Sequence, residues 1–333
     1  MKVYLTDRVG GQNEGFGTAG SDYSDLKGLL KSAKLSHQVA CVLDPRTQSR
    51  MVTVPRIRTR IVPVDVRRKG YIMLTLLSPA KKLNMVPVET AVPITQPRLR
   101  DDTKELATVA KTQTAADLKR LMHISDNLAT MNFERFQAFN LDNKSNSAKP
   151  AGLAFDGDVY WGLEADSLSE DTLAYAQDHL RILSGLYGVL RPMDAIQPYR
   201  LEMGTKMATG RGKSLYDFWS TRIADRLNAD LAGHADATVV NLASNEYFKA
   251  VDTAALGRTV IGAKFLNVKD GEARSLMYYA KHARGSMARW IMENRVDRAE
   301  GLKDFNVGGY ALDAAASTHD ELVFSRPQPP KKA

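Results

Sequence analysis

The sequence predicts a mixed α/β domain, a central sheet with helices around it, and three observations carry that prediction. Short unbroken apolar runs, Met73-Leu-Thr-Leu-Leu77 and Thr238-Val-Val-Asn-Leu-Ala243, are the mark of strands covered on both faces. Amphipathic stretches separate the runs; Ala115, Leu118, Leu121, Met122 and Leu128 fall on one helical face. The 333 residues are 44% hydrophobic, enough for a full core. No apolar run reaches the roughly 18 residues of a membrane span, so no membrane partner is expected. The start lacks a charged-then-apolar leader pattern. A lone cysteine, Cys41, allows no intrachain disulfide and no thiolate metal site. Both features predict a cytoplasmic protein. The histidines (37, 123, 179, 234, 282 and 319) show no metal-binding spacing, so neither metal nor cofactor is expected.

Net charge is +8, but it is unevenly placed. Residues 1–72 hold 13 Lys and Arg against 6 Asp and Glu, which leaves +1 for the remainder. The basic character therefore belongs to the first 72 residues, and a nucleic-acid partner for the rest requires a local patch. The first 72 residues are glycine-rich early (Gly10, Gly11, Gly15) and carry Arg56-Ile-Arg-Thr-Arg60 and Arg67-Arg-Lys69. They read as a disordered basic arm, a small appended element, or upstream sequence before a true start at Met73. Residues 52–62 alternate like an edge strand, which Pro55 weakens.

From Met73 the expected elements run in order. Ser78-Pro-Ala-Lys81 follows the first strand, where α/β folds place functional groups; Lys81 is a functional lysine or a solvated loop lysine. Three prolines make residues 84–100 irregular, and helices are expected over 101–110, 114–128 and 132–139, with His123 at a core edge. After a polar loop, residues 151–155 read as a strand and 159–163 as apolar. Ser167 and Glu170 form a capping box for a helix over 168–183. Gly185 and Gly188 then turn the chain. That turn is an ordinary helix stop or a set of backbone N–H groups facing an anion. A helix is expected over 213–231, strands at 238–243 and 259–266, and a sheet continuation at 273–278. Residues 279–295 read as a helix with Lys281, Arg284 and Arg295 opposite Ala283, Met287, Trp290 and Ile291, a cationic stripe or a merely solvated face. Residues 321–324 close the sheet, and 327–333 form a disordered tail.

Several motifs together resemble the YaaA family of bacterial peroxide stress proteins across residues 73–326. They include Ser78-Pro-Ala-Lys81, Phe155-Asp-Gly-Asp-Val-Tyr160, Leu183-Ser-Gly-Leu-Tyr-Gly-Val-Leu-Arg-Pro192 and Pro198-Tyr-Arg-Leu-Glu-Met-Gly204. Others are Leu215-Tyr-Asp-Phe-Trp219, Asn241-Leu-Ala-Ser-Asn-Glu-Tyr-Phe248, Tyr279-Ala-Lys-His-Ala-Arg-Gly285, Glu293-Asn-Arg295 and Glu321-Leu-Val-Phe324. The resemblance implies a single mixed α/β domain, a positive cleft and a helix-hairpin-helix element. It also implies non-specific binding of double-stranded DNA, damaged and branched forms included, and a limit on free iron. The hairpin would fall on the helix ending near Leu183 and the Ser184–Gly188 turn. Lys82 departs from the family, where a smaller polar residue is usual at this position, and the first 72 residues have no counterpart.

Three functions follow. A DNA-binding protein would use Gly185 and Gly188 in the turn, with Arg191, Arg200, Lys281, Arg284 and Arg295 as cationic walls. An enzyme acting on a nucleobase, nucleotide or damaged DNA would use Lys81 as a desolvated amine, with Glu202 and Asp158 as acid/base groups; Asp156 and Glu246 are further candidates. Convergence of Lys81 and Glu202 in a closed pocket would favour chemistry, and an open groove would favour binding. A third function, iron sequestration, would need a carboxylate-only site.

Overall fold

A computed structural model describes residues 72–141, 148–232 and 237–330, together with the backbone of three short N-terminal strands. The chain divides into compact units at residues 1–68 and 69–333. In the first unit, β1 (Val3–Val9) pairs antiparallel with β2 (Gln12–Phe16) and β3 (Val39–Val42). The arginine-rich segments and the expected 52–62 edge strand lie outside the described residues, as do 331–333.

The second unit is built on β4 (Ile72–Leu77). Its side chains from Met73 to Leu77 are buried on both faces, as the apolar run predicts. β4 pairs in parallel with β8 (Leu180–Ser184) on one side and β11 (Ala237–Asn241) on the other. Beyond β11 come β12 (Val260–Lys269) and β15 (Glu321–Pro327), again parallel. Antiparallel strands finish the sheet: β9 (Gly188–Leu190) beside β8, β13 (Glu272–Arg274) beside β12 and β14 (Ala311–Leu312) beside β15. The path order is β14-β15-β12-β11-β4-β8-β9. Two small pairs lie outside it, β5 (Lys82–Leu83) with β7 (Phe155–Asp156) and β6 (Lys149–Pro150) with β10 (Ala195–Ile196). The expected mixed sheet is present. No helix among the described residues is long and apolar enough to cross a membrane.

Local chemistry sets the helix limits. Helix α1 is Arg100–Thr112. A capping box of Thr114 and Asp117 starts α2 (Ala115–Met122), and His123 ends it in the left-handed region at φ 52°. His123 is therefore an exposed cap and not a core-edge residue, and the expected 114–128 helix is two helices. Ser125 caps the next, α3 (Asp126–Ala138). Residues 151–155 do not form the expected strand. Ala151–Ala154 is one helical turn, α4, because the N–H groups of Ala151 and Gly152 reach the carbonyls of Asp194 and Pro192. α5 (Asp158–Leu163) follows, then α6 (Glu170–His179), capped by Ser169 and not by Ser167. The 213–231 helix is broken into α7 (Leu215–Trp219) and α8 (Arg222–Asp230) by Ser220 at φ 45°. Short helices α9 (Asn245–Phe248) and α10 (Thr253–Leu256) precede β12, and α11 (Met277–Glu293) follows β13.

Two contacts lock this frame. α5 and α11 meet backbone to backbone at Gly162 and Gly285. A Cβ on Gly285 would lie 1.7 Å from the Val159 carbonyl oxygen, and one on Gly162 2.1 Å from that of His282. Below the sheet, Arg181 of β8 donates from Nε to Asp230 at 2.7 Å, with side chains 4% and 2% exposed. Arg98 and Arg226 complete the shell around Asp230. Burial pushes the Asp230 carboxyl upward, but these three guanidiniums outweigh it and hold it below the usual carboxylate value.

Gly285→Ala should destabilise the protein by about 3 kcal/mol, because neither backbone can yield; an unchanged urea midpoint would refute the tight crossing. Removing Asp230 leaves Arg181 buried and unpaired, so Asp230→Ala should cost about 3–5 kcal/mol. Because the folded carboxyl titrates below its unfolded value near 3.9, its contribution is complete above that pH and fades as pH falls through the folded value. Asp230→Asn should therefore flatten the acid limb of a stability–pH curve.

Candidate functional site

All five parallel strands point their carboxyl ends at one edge of the sheet. From β4 the chain passes to β8 on one side and later to β11 on the other. The loops leaving β4 and β11 thus diverge at a switch point, the place where open α/β sheets hold ligands. Ser78, just past β4, meets Ser244, just past β11. The Ser244 N–H donates to Ser78 Oγ at 2.8 Å, and the Ser78 hydroxyl donates to Ser244 Oγ at 3.3 Å. The Tyr160 hydroxyl donates to the Ser78 carbonyl at 3.0 Å.

A chain of ion pairs runs along this edge. Arg200 donates to Glu202 at 2.9 Å, and Lys81 meets the other Glu202 oxygen at 2.7 Å. Next to Lys81, Lys82 lies opposite Asp156 in the β5–β7 pair and bonds it at 2.6 Å. Asp156 also accepts from the Trp161 indole at 2.7 Å. The Lys82 and Trp161 hydrogen bonds hold its carboxyl below the usual value. Two residues on, Asp158 faces Lys281 of α11 at 3.8 Å. Glu246 closes the Glu202 end by accepting from the Gly204 N–H at 3.0 Å. Lys81, Arg200, Glu202, Asp158 and Lys281, all marked by the sequence, thus share one edge. Lys81 remains 63% exposed, so it is not a desolvated amine. Behind the edge, burial drives the hydroxyls of Tyr160, Tyr199 and Tyr247 well above their usual pKa, and they stay neutral donors.

The helix-hairpin-helix expectation is overturned at its assigned place. α6 ends at His179, and Leu180–Ser184 is strand β8, joined by a tight turn to antiparallel β9. Leu180 and Leu183 read as a helical face because strand and helix periods cannot be told apart over so few apolar residues. The turn is buried throughout. A Cβ on Gly185 would lie 2.3 Å from the Leu201 carbonyl oxygen, and one on Gly188, at φ +70°, 2.7 Å from the Trp219 ring. These glycines admit neighbouring backbone and indole, not a phosphate.

Two cationic assignments also leave the edge. Arg191 clamps the fully buried Asp194 with Nε at 3.1 Å and Nη at 2.8 Å, a fastening between β9 and β10. Arg295 lies beyond α11 at φ 53°, stacks 4.2 Å above the Tyr175 ring and pairs with Asp171. It lies two residues past the last residue of α11, about 20 Å from Lys281 along the axis, and the left-handed turn and its Asp171 and Tyr175 partners take it out of the helical stripe. Arg284 is one turn from Lys281. Burial lowers its pKa, and its Nε has no hydrogen-bond partner. Sequence reasoning did not single out Ser78, Ser244 or Tyr160 individually, although each lies in a motif that carries the family resemblance. Among the described residues no three His, Cys, Asp or Glu side chains converge as a metal site.

A family model described as peroxide stress protein YaaA matches residues 73–316. A UPF0246 protein of Caulobacter vibrioides is 55% identical over 257 residues, covering 77% of this chain and 100% of its own length. Counterparts in Phenylobacterium zucineum and Alteromonas mediterranea are 53% and 50% identical, covering 78% and 77% of this chain and 97% and 99% of their own. The site loops and the strands that carry them fall inside the matched span, and the chain belongs to the YaaA family of peroxide stress proteins.

Proposed function

We propose that this protein serves the peroxide stress response by binding nucleic acid through phosphate contacts along the carboxyl edge. The observation that carries the reading is the set of three neighbouring ion-pair groups, Arg200–Glu202–Lys81, Lys82–Asp156 and Asp158–Lys281. It gathers four cations from separate segments onto one edge of a domain whose net charge is near zero. The intervening carboxylates keep the cations from dispersing. The three lysines are well exposed, and exposed pairs are worth about 0–1 kcal/mol, so a phosphate displaces a carboxylate from them at little cost. Duplex backbone, not base sequence, is what such an array reads. A limit on free iron is carried in this reading by the family resemblance alone.

Three phosphates neutralised at Lys81, Lys82 and Lys281 should give log K against log salt a slope of about −2.7. The N-terminal arm adds its own share, so the comparison is between full-length proteins. Lys81→Ala/Lys281→Ala should reduce the magnitude of the slope by about 1.8. Equal slopes for the two proteins would overturn the reading.

Catalysis on a nucleobase, nucleotide or damaged DNA is the second reading, favoured by the meeting of Lys81 with Glu202 and Arg200 beside the Ser78–Ser244 contact. Borohydride reduction with abasic-site DNA should then leave a covalent adduct that Lys81→Ala lacks. Absence of an adduct in the unaltered protein leaves the exposed, ion-paired lysine as a binding group.

A further inference from the structure

A cavity of about 610 Å³ opens between the first turns of α11 and the end of β15. It plays no part in the ion-pair chain. Tyr278, Tyr279, His282, Tyr310 and Arg326 line it. β15 runs parallel to β12, so Arg326, next to the last residue of the strand, stands at the carboxyl edge two strands from β11.

The lining has a definite chemistry. The Arg326 guanidinium sits 4.3 Å over the Tyr310 ring and 5.1 Å from the Tyr279 ring. The Asn267 side-chain oxygen holds it at 3.0 Å and the Gly308 carbonyl at 2.7 Å. Among the described residues no carboxylate pairs with it. The Tyr310 hydroxyl is buried near Asn267 and Arg326 and makes no well-formed hydrogen bond. Tyr278 stands 49% exposed at the rim, with its ring edge-on to Tyr279 at 5.3 Å. The volume is that of a small-molecule site. Aromatic walls offer faces to a planar ring, and a guanidinium without a counter-ion offers charge to an anion. Lys281 immediately precedes His282, about 100° around the helix, so the same turn of α11 carries one of the ion pairs and one wall of the cavity.

We propose that this pocket takes one unstacked nucleobase of a strand whose phosphates lie along the Lys81–Lys281 edge. The proposal rests on the nucleic-acid reading for its source of bases, but the pocket itself is testable without it. A base in the Tyr278–Tyr279 pocket gives the protein a preference for DNA in which a base is already free, because no pairing need be broken.

The test uses the full-length protein and two probes. AMP, followed by calorimetry, reports the pocket alone. A duplex with a single-adenine bulge, compared with the fully paired duplex at one salt concentration, reports the strand-borne base. The unaltered protein should bind AMP, and the bulged duplex about tenfold more tightly than the paired one. Tyr278→Ala should abolish both AMP binding and the preference, and Tyr278→Phe, which keeps the ring, should retain them. AMP binding without binding of either duplex would support the pocket and overturn the strand as its source. No AMP binding, with equal affinity for the two duplexes, would overturn the proposal while leaving the phosphate-edge reading intact. A preference that survives in Tyr278→Ala would overturn it as well.

Discussion

Strand β4 has parallel neighbours on both sides, and the rest of the domain follows from that constraint. A parallel pair cannot be closed by a tight turn; each requires a crossover that returns the chain to the opposite edge. Every parallel strand therefore releases its loop at the same edge. With β8 and β11 on opposite sides of β4, the Ser78 loop and the Ser244 loop leave the same edge in different directions. The Ser78–Ser244 hydrogen bonds and the Tyr160 hydroxyl tie the starts of those loops together. The cations gather there because the topology has nowhere else to put those loops.

The close crossing of α5 and α11 is the second determinant. Without side chains at Gly162 and Gly285, the helices approach until backbone touches backbone. That approach sets Asp158 against Lys281 and brings the first turns of α11 to the carboxyl edge. The aromatic cavity depends on the same placement, since Tyr278, Tyr279 and His282 ride on those turns. The ionic edge and the aromatic pocket are thus two consequences of one helix position.

The charged residues of the domain divide into two physical kinds. Arg181, Asp230 and Asp194 are buried and Arg191 largely so; they are bonded through several atoms and hold strands and helices in register. Lys81, Lys82 and Lys281 keep their charged ends in water and pair through single contacts. Only the second kind can exchange a carboxylate for a ligand at low cost, because its desolvation has not already been spent on the fold.

The sequence by itself determined the fold class, the places of β4 and β11 to within one or two residues, the unequal division of charge and the family motifs. These rest on local information, namely unbroken apolar runs, capping residues and residue identity. It also marked Lys81, Arg200, Glu202, Asp158 and Lys281 without saying that they meet. It misread Leu180–Ser184, since five residues with three apolar side chains following directly on a helix carry no period of their own, and only pairing with β4 makes them a strand. That pairing decided the role of Gly185 and Gly188, which receive the Leu201 carbonyl and the Trp219 ring from segments far along the chain. The end of α11 at Glu293 separated Arg295 from Lys281, because a stripe drawn on one ideal helix cannot show where the helix ends. Tertiary structure alone decided which charges are fastened and which are free to exchange, because burial and partner geometry are properties of segments brought together from a distance.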